Sequence, residues 1–258
     1  MSTRDVDLSA EEVERYSRQL VLPEWSAEAQ MRLKAASVLV IGAGALGSPA
    51  ALYLAAAGVG RVGVLDDGVV ELSNLQRQVL HFTPDLGAPK AESARAKLSF
   101  LNPEAVVDPY PVHLDASNAE AIVTGQDVVV DCSDAFETRY LVNDACCKAG
   151  VPLVEGGVLG LSGLVLSVRP GESACYRCAF PTAPPEGSVP SCAEAGVLGP
   201  VAGIVGSLQA LEALKLLTGV GEPLLDRLLQ VDAADGGFTL VRTARRADCP
   251  ACGTSATL

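Results

Sequence analysis

The sequence predicts an α/β fold in which a Rossmann-like sheet, with helices on both faces, is continued by an antiparallel second half. Apolar, β-branched runs alternate with helical segments over the first 150 residues, a pattern typical of a parallel sheet covered on both faces. One run leads directly into a Gly-x-Gly-x-x-Gly turn, and two Cys-x-x-Cys pairs lie in the second half. The first half is therefore expected to be a nucleotide-binding sheet, and the second to carry a structural zinc site.

The first 150 residues contain a helical arm and then the alternating elements. Ser9 followed by Glu12 matches a capping box, which predicts a helix to about Leu20, and residues 26–36 resemble a second helix. Strands and helices then alternate through residues 37–150. The predicted strands are 37–41, 61–66, 105–110 and 127–131, and the predicted helices are 46–57, 89–101, 117–123 and 136–149.

After Pro152 the pattern changes to strands joined by short turns. Residues 153–157 and 161–169 are predicted strands, with a hairpin turn between them. A Pro- and Gly-rich loop over 180–190 precedes a long helix at 197–218, and strands near 225–231 and 238–242 follow. No internal repeat or linker is evident. The chain is therefore predicted to be one domain, 1–258, made of an arm (1–36), a nucleotide-binding half (37–150) and a second half (151–258).

Composition excludes several classes of function. The chain has 258 residues, 49% of them hydrophobic, and a net charge of −12. Such acidity argues against a nucleic-acid partner, whose phosphates attract basic proteins. The apolar runs at 50–59 and 201–210 are shorter than the roughly 20 residues that cross a bilayer, and the N-terminus is polar, so a cytoplasmic protein without a membrane partner is expected. Eight cysteines then suggest metal binding or catalysis rather than disulfides.

The glycine turn, Gly42, Gly44 and Gly47, lies between a strand and a helix. In this context glycines let the backbone approach phosphates, and the helix N-terminus offers unpaired N–H groups. Asp66 ends the next strand and is placed to accept from ribose hydroxyls. These features predict a nucleotide site but do not distinguish NAD from ATP.

The segment 73–78 decides between them in favour of ATP. It is polar and rich in donors, and it contains Arg77, whose planar guanidinium suits a triphosphate. Lys90 follows at the start of a helix and adds a second positive charge. Asp134 comes just after the buried strand 127–131, at the edge of the sheet where ligands bind in such folds, and its carboxylate can hold magnesium.

The two cysteine pairs can together complete a tetrahedral zinc site. The chain as a whole resembles the ThiF/MoeB family, the bacterial relatives of the ubiquitin-activating enzymes, from about residue 15 to residue 252. The resemblance is carried by RYSRQ (15–19), GAGALGS (42–48), LSNLQRQ (72–78), GAPKAESA (87–94), DCSD (131–134), the block at 192–219, and the pairs Cys175/Cys178 and Cys249/Cys252. It implies that these four cysteines hold the family's structural zinc.

The resemblance also implies a role for each matching residue. The glycines and Gln78 belong to the ATP site, and Asp66 would bind the ribose. Phosphate binding would fall to Asn74, Arg77 and Lys90, and magnesium binding to Asp134. Arg18 matches an arginine that reaches the ATP of the other protomer, which implies a homodimer. Cys192 matches a position where some relatives carry a cysteine for covalent transfer, with an ordinary small residue near a loop end as the alternative.

The family activity implied is ATP- and magnesium-dependent adenylylation of the C-terminal Gly-Gly carboxylate of a small ubiquitin-like sulfur carrier protein, preparatory to thiocarboxylate formation. The chain stops at Leu258 without a rhodanese-like domain, so a separate sulfur donor is expected. The alternatives are activation of a peptide or tRNA-linked carboxylate, a non-catalytic partner subunit, or an NAD-dependent dehydrogenase. One departure is Gly68, where the family often has a second acid. His81 and His113 are interpreted as non-catalytic.

Overall fold

The protein's structure, a computed structural model, describes residues 7–185, 188 and 195–253. Within these residues the strands form one sheet in the order β3-β2-β1-β4-β5-β6-β7-β8. Neighbours from β3 to β5 are parallel, and those from β5 to β8 are antiparallel. The predicted α/β fold is therefore confirmed. The strands are β1 Ser37–Ile41, β2 Arg61–Leu65, β3 Val106–Tyr110, β4 Val128–Asp131, β5 Leu153–Leu159, β6 Ser162–Val168, β7 Arg227–Asp232 and β8 Gly237–Arg242.

Helices cover both faces of the parallel part. The described helices are α1 Ala10–Arg15, α2 Ser17–Leu20, α3 Ala27–Ala35, α4 Gly47–Ala57, α5 Lys90–Leu101, α6 Ala119–Val123, α7 Phe136–Ala149, α8 Tyr176–Ala179 and α9 Gly199–Thr218. In β1, Val38 and Val40 pack into one core with α3, α4, α5 and α9. Leu39 and Ile41 pack into the other core with α6, α7 and α8. This alternation follows from the two-residue period of a strand, whose successive side chains point to opposite faces.

The N-terminal arm differs from the single helix expected over residues 9–20. The capping box is confirmed, since Ser9 Oγ accepts from the Glu12 N–H at 3.2 Å and the Glu12 carboxylate accepts from the Ser9 N–H at 2.7 Å. The helix breaks at Tyr16, however, whose backbone leaves helical geometry. The buried Tyr16 hydroxyl accepts from Asn102 Nδ2 at 2.8 Å, so long-range packing overrides local helix propensity there.

Helix α9 is long and apolar enough to cross a bilayer by length and composition alone, but half of it is buried inside the protein. Val201, Ala202 and Val205 belong to the core beside α4. It begins at Gly199, two residues later than predicted, with Pro200 in its first turn. The packing of α9 is that of a core helix.

Candidate nucleotide cleft and zinc centre

The glycine turn connects β1 to α4 through one left-handed glycine and one close backbone approach. Gly42 has φ +91°, in the left-handed region that other residues rarely adopt. A Cβ at Gly47 would lie 1.8 Å from the Gly42 carbonyl oxygen, so no larger residue fits without moving the turn. The neighbours of β1 in the sheet are β2 and β4. The turn therefore lies where the strand order reverses, the position at which open α/β sheets bind ligands.

A cleft of about 360 Å³ opens at this point, a size typical of small-molecule sites. The predicted site residues that it brings together are up to 92 positions apart, because the carboxyl ends of parallel strands meet at one edge. The sequence-predicted residues that line it are Gly42, Gly44, Asp66, Arg77, Gln78, Lys90 and Asp134.

Asp66 supports the glycine turn as well as lining the cleft. Its Oδ2 accepts from the Ala43 N–H at 2.8 Å, and its Oδ1 accepts from the Gly68 N–H at 2.8 Å. Each carboxylate oxygen keeps a second lone pair that can accept from a ligand hydroxyl. The glycine at position 68, the departure from the family pattern, gives Asp66 a backbone donor in the cleft wall.

The charged groups of the cleft are arranged around its rim. Arg77 Nη1 donates to the Ser73 carbonyl at 2.8 Å, and a guanidinium has further N–H donors that can bind a phosphate. Lys90 is half-buried at the first position of α5, and Asp134 is exposed just before α7. Gln78 is buried, and its Oε1 has no hydrogen-bond partner among residues 7–185, 188 and 195–253. Two cations and one acid therefore surround the same space.

The other predicted site residues lie elsewhere. Gly47 lies behind the turn, and Asn74 is buried, where its Oδ1 accepts from the Glu71 N–H at 3.1 Å; neither lines the cleft. Arg18 is exposed on α2, and its neighbour Gln19 donates to the Ala57 carbonyl at 3.1 Å. Ala57 is the last residue of α4, about 16 Å along the helix axis from the glycine turn.

Cys192 lies outside the described residues. The roles assigned to all these residues from the family resemblance stay predictions. Of the two histidines, His113 is exposed at the rim of the cleft, with Nδ1 2.8 Å from Asp67 Oδ2. His81 is buried beneath the glycine turn.

The sequence interpretation missed a buried charge cluster beneath Asp134. Asp131 and Glu155 face each other across β4 and β5 and are both fully buried. Arg139 of α7 lies 3.6 Å from Glu155 Oε1, donates to the Ser133 carbonyl at 3.1 Å and lines the cleft. Burial raises the pKa of both carboxyls, and the charge of Asp131 raises the pKa of Glu155 further. No local motif marks Glu155, since only strand pairing places it beside Asp131.

We expect Glu155→Gln to increase the free energy of unfolding at pH 7 by at least about 1 kcal/mol, because each unit by which a folded-state pKa exceeds the unfolded-state pKa is worth about 1.4 kcal/mol. Because the folded-state pKa of Glu155 is raised, the unfolded chain ionises first as pH rises above about 4.5, and wild-type stability falls there. Glutamine cannot ionise, and Asp131 still balances Arg139. The gain should therefore vanish below about pH 4.5 in urea denaturation. The exposed Glu104→Gln is the control; a loss of stability at pH 7 would contradict the prediction.

The four predicted zinc ligands form one buried cluster. All their sulfur atoms lie within 4.8 Å of one another. The distances are 3.9 Å for Cys175–Cys178, 3.6 Å for Cys175–Cys249 and 3.4 Å for Cys178–Cys252. A tetrahedron with Zn–S bonds of about 2.3 Å has edges of about 3.8 Å. Four buried thiols at this spacing fit a closed structural zinc site, so the cluster can hold a zinc ion.

Polar groups around the cysteines orient the sulfur atoms. Arg246 donates its backbone N–H to Cys178 Sγ at 3.4 Å, and Asn143 Nδ2 lies 3.8 Å from Cys175 Sγ. Arg177 forms two hydrogen bonds, of 2.7 and 2.8 Å, to Asp144 of α7. The donors of Arg246 and Asn143 that contact sulfur are typical of the hydrogen bonds that surround metal ligands. The cluster thereby connects the C-terminal segment and α8 to helix α7.

Comparison with known proteins matches residues 16–251 to the ThiF family. The chain belongs to this family. It is 50% identical to the SAMP-activating enzyme E1 of Haloferax volcanii, over 96% of this chain and 92% of the relative. It is 51% identical to the sulfur carrier protein adenylyltransferase of Thermus thermophilus, over 96% of this chain and 93% of the relative.

Longer relatives and solved structures agree with this assignment. Adenylyltransferase and sulfurtransferase MOCS3 of Bos taurus is 52% identical over 97% of this ThiF-family chain, which spans 55% of the length of MOCS3. The crystal structure of E. coli MccB with MccA-N7isoASN has a TM-score of 0.84 at 25% identity. It covers 93% of this chain and 75% of MccB. The family and the fold expected from the sequence are both confirmed.

Proposed function

We propose that this ThiF-family protein adenylylates the C-terminal carboxylate of a small ubiquitin-like sulfur carrier protein with ATP. The observation that carries the proposal is the cleft, where Arg77, Lys90 and Asp134 face the glycine turn. Two relatives that the chain covers almost completely support it, since they are named a sulfur carrier protein adenylyltransferase and a SAMP-activating enzyme. The chain is therefore an adenylyltransferase in this proposal.

The chemistry requires charge neutralisation rather than a general base. A C-terminal carboxylate is already ionised at neutral pH, so its oxygen attacks the α-phosphorus of ATP directly. The bond from the α-phosphorus to the bridging oxygen breaks, pyrophosphate leaves and an acyl-adenylate remains. Both reactants are anions, so their approach needs cations fixed in place. Arg77 and Lys90 supply this charge, and the glycine turn supplies backbone N–H donors.

Asp134 is the residue that would hold magnesium. An exposed carboxylate in a cleft that also holds cations fits a hard cation bound jointly by the protein and the phosphates. When bound, magnesium withdraws charge from the phosphate oxygens. Asp66 would bind the ribose.

The carrier protein is proposed to bind the second half of the chain. Strand β8 is an edge strand, and it exposes Phe238 and Leu240, with 57% and 55% of their surface accessible. These residues pair with Val231 and Leu229 of β7 and therefore share one face of the sheet. An exposed apolar sheet face of this kind suits a protein partner.

The sulfur donor would be a separate protein or a sulfide source, and Cys192 is a candidate for a later covalent step.

The test is ATP–pyrophosphate exchange with candidate carriers that end in Gly-Gly. Exchange that depends on a carrier and is lost when its last glycine is deleted would support the proposal. Exchange with a short peptide but with no carrier would favour peptide activation instead. If the protein binds ATP but neither a carrier nor a peptide supports exchange, carboxylate activation would be contradicted.

Arg18 is proposed to act in the cleft of a second copy of the chain, because α2 lies at the far end of α4 from the glycine turn. We expect Arg18→Ala and Asp134→Ala to be inactive separately but to regain about a quarter of wild-type exchange when mixed. Half of the dimers would then be mixed, and each mixed dimer has one intact cleft. The measurement is exchange after co-refolding the two variants. No recovery, with mixed dimers shown by mass spectrometry, would contradict the shared site.

A further inference from the structure

His81 touches the glycine turn from behind the cleft. Its side chain is buried, with 3% of its surface accessible, and does not line the cleft. Nε2 lies 2.9 Å from the Ala43 carbonyl oxygen, and Nδ1 lies 2.9 Å from Ser93 Oγ. The imidazole therefore connects the turn after β1 to helix α5.

The partners of the ring fix its proton. A carbonyl oxygen can only accept, so Nε2 must carry the hydrogen and donate it to Ala43. In the neutral ring Nδ1 then accepts from the Ser93 hydroxyl. Lys97 Nζ donates to the same Ser93 oxygen at 3.2 Å, and the Asp85 carboxylate also hydrogen-bonds Ser93. Burial and the nearby Lys90 charge lower the pKa of His81, in agreement with a neutral ring.

This hydrogen bond sets the direction of one peptide in the glycine turn. The Ala43 N–H is held by Asp66, and the Ala43 carbonyl is held by His81. In a trans peptide the C=O and the following N–H point in opposite directions. A carbonyl directed at His81, behind the turn, therefore directs the Gly44 N–H to the opposite side, and Gly44 lines the cleft. If this peptide were flipped, a carbonyl oxygen would face the phosphates instead of a donor.

We propose that His81 is a positioning residue that keeps the Gly44 N–H directed at the nucleotide phosphates. The inference rests on the proposed nucleotide site and adds a residue to it. His81 also keeps the turn in register with Lys90, because Ser93 lies one helical turn after Lys90 on α5. His81 does not line the cleft, so it would act through the backbone of the turn.

The test compares the binding of ATP and of adenosine by calorimetry in His81→Gln and His81→Asn. The amide of glutamine reaches the position of Nε2 and can donate to Ala43, whereas the shorter amide of asparagine reaches only the position of Nδ1. We expect Asn to weaken ATP binding by about 10- to 100-fold and Gln to keep it within about threefold. Adenosine binding should stay unchanged in both variants, because adenosine has no phosphate.

Each outcome is decisive. Equal ATP affinity in the wild type and the Asn variant would overturn the positioning role. Parallel loss of ATP and adenosine binding would show a general structural role and would also overturn it. Failure of the wild type to bind ATP would contradict the proposed function itself. His81→Leu lacks both polar contacts, so its ATP affinity should equal that of the His81→Asn variant if it folds.

Discussion

Replacing Asp134 with alanine is expected to lower carrier-dependent ATP–pyrophosphate exchange by about 100- to 1000-fold. Asp134 lines the cleft, is exposed to solvent and is the carboxylate proposed to hold magnesium. Without Asp134 and its magnesium ion, the negative phosphates would repel the incoming carboxylate. The substitution should therefore destabilise the transition state more than it destabilises bound ATP. The measurement is exchange as a function of magnesium concentration, together with ATP binding in the absence of magnesium.

Glu137→Ala is the matched control for Asp134→Ala. Glu137 is also acidic and exposed, lies three positions further along, and does not line the cleft. We expect its exchange rate to stay within about twofold of wild type, as for an ordinary surface substitution. Exchange by the Asp134 variant within threefold of wild type at every magnesium concentration would rule out the metal role of this carboxylate.

Cys249→Ser is expected to release zinc and to lower the free energy of unfolding by at least about 3 kcal/mol. For a chain of this size that loss corresponds to a fall in Tm of about 6–12 °C. The metal would join α8 to the C-terminal segment, 74 positions away along the chain. With only three thiolates left, zinc would bind too weakly to hold that segment in place. The measurements are metal content by mass spectrometry and thermal unfolding with and without a chelator.

Cys146→Ala provides the control for the zinc site. Cys146 lies on α7 in the same core but is not one of the four clustered cysteines. It should keep one zinc per chain and lose less than about 1.5 kcal/mol, the smaller loss expected where no ligand is removed. A wild-type protein that carries no zinc and unfolds at the same temperature as Cys249→Ser would contradict a structural metal centre.

Local sequence signals predicted those parts of the fold whose causes are themselves local. Residues 37–41 form β1 as expected, because a buried apolar run is directly followed by the glycine turn. The strand that starts at 153 was predicted to end at 157 but continues to Leu159, since it pairs with β6 along its whole length. The short helix α8, which begins after Cys175 and contains Cys178, was not predicted, because four residues show no helical period.

The sequence by itself determined the alternation of strands and helices, the glycine turn, the cysteine pairs and the residue types suited to a triphosphate. These depend on spacing and side-chain chemistry over a few positions. Tertiary structure alone decided that β1 lies beside β4, which brings Asp134 to the glycine turn. It also decided the neighbours of His81 and Glu155. Their hydrogen bonds and burial arise from contacts between elements 12 to 38 positions apart, and no local pattern encodes such contacts.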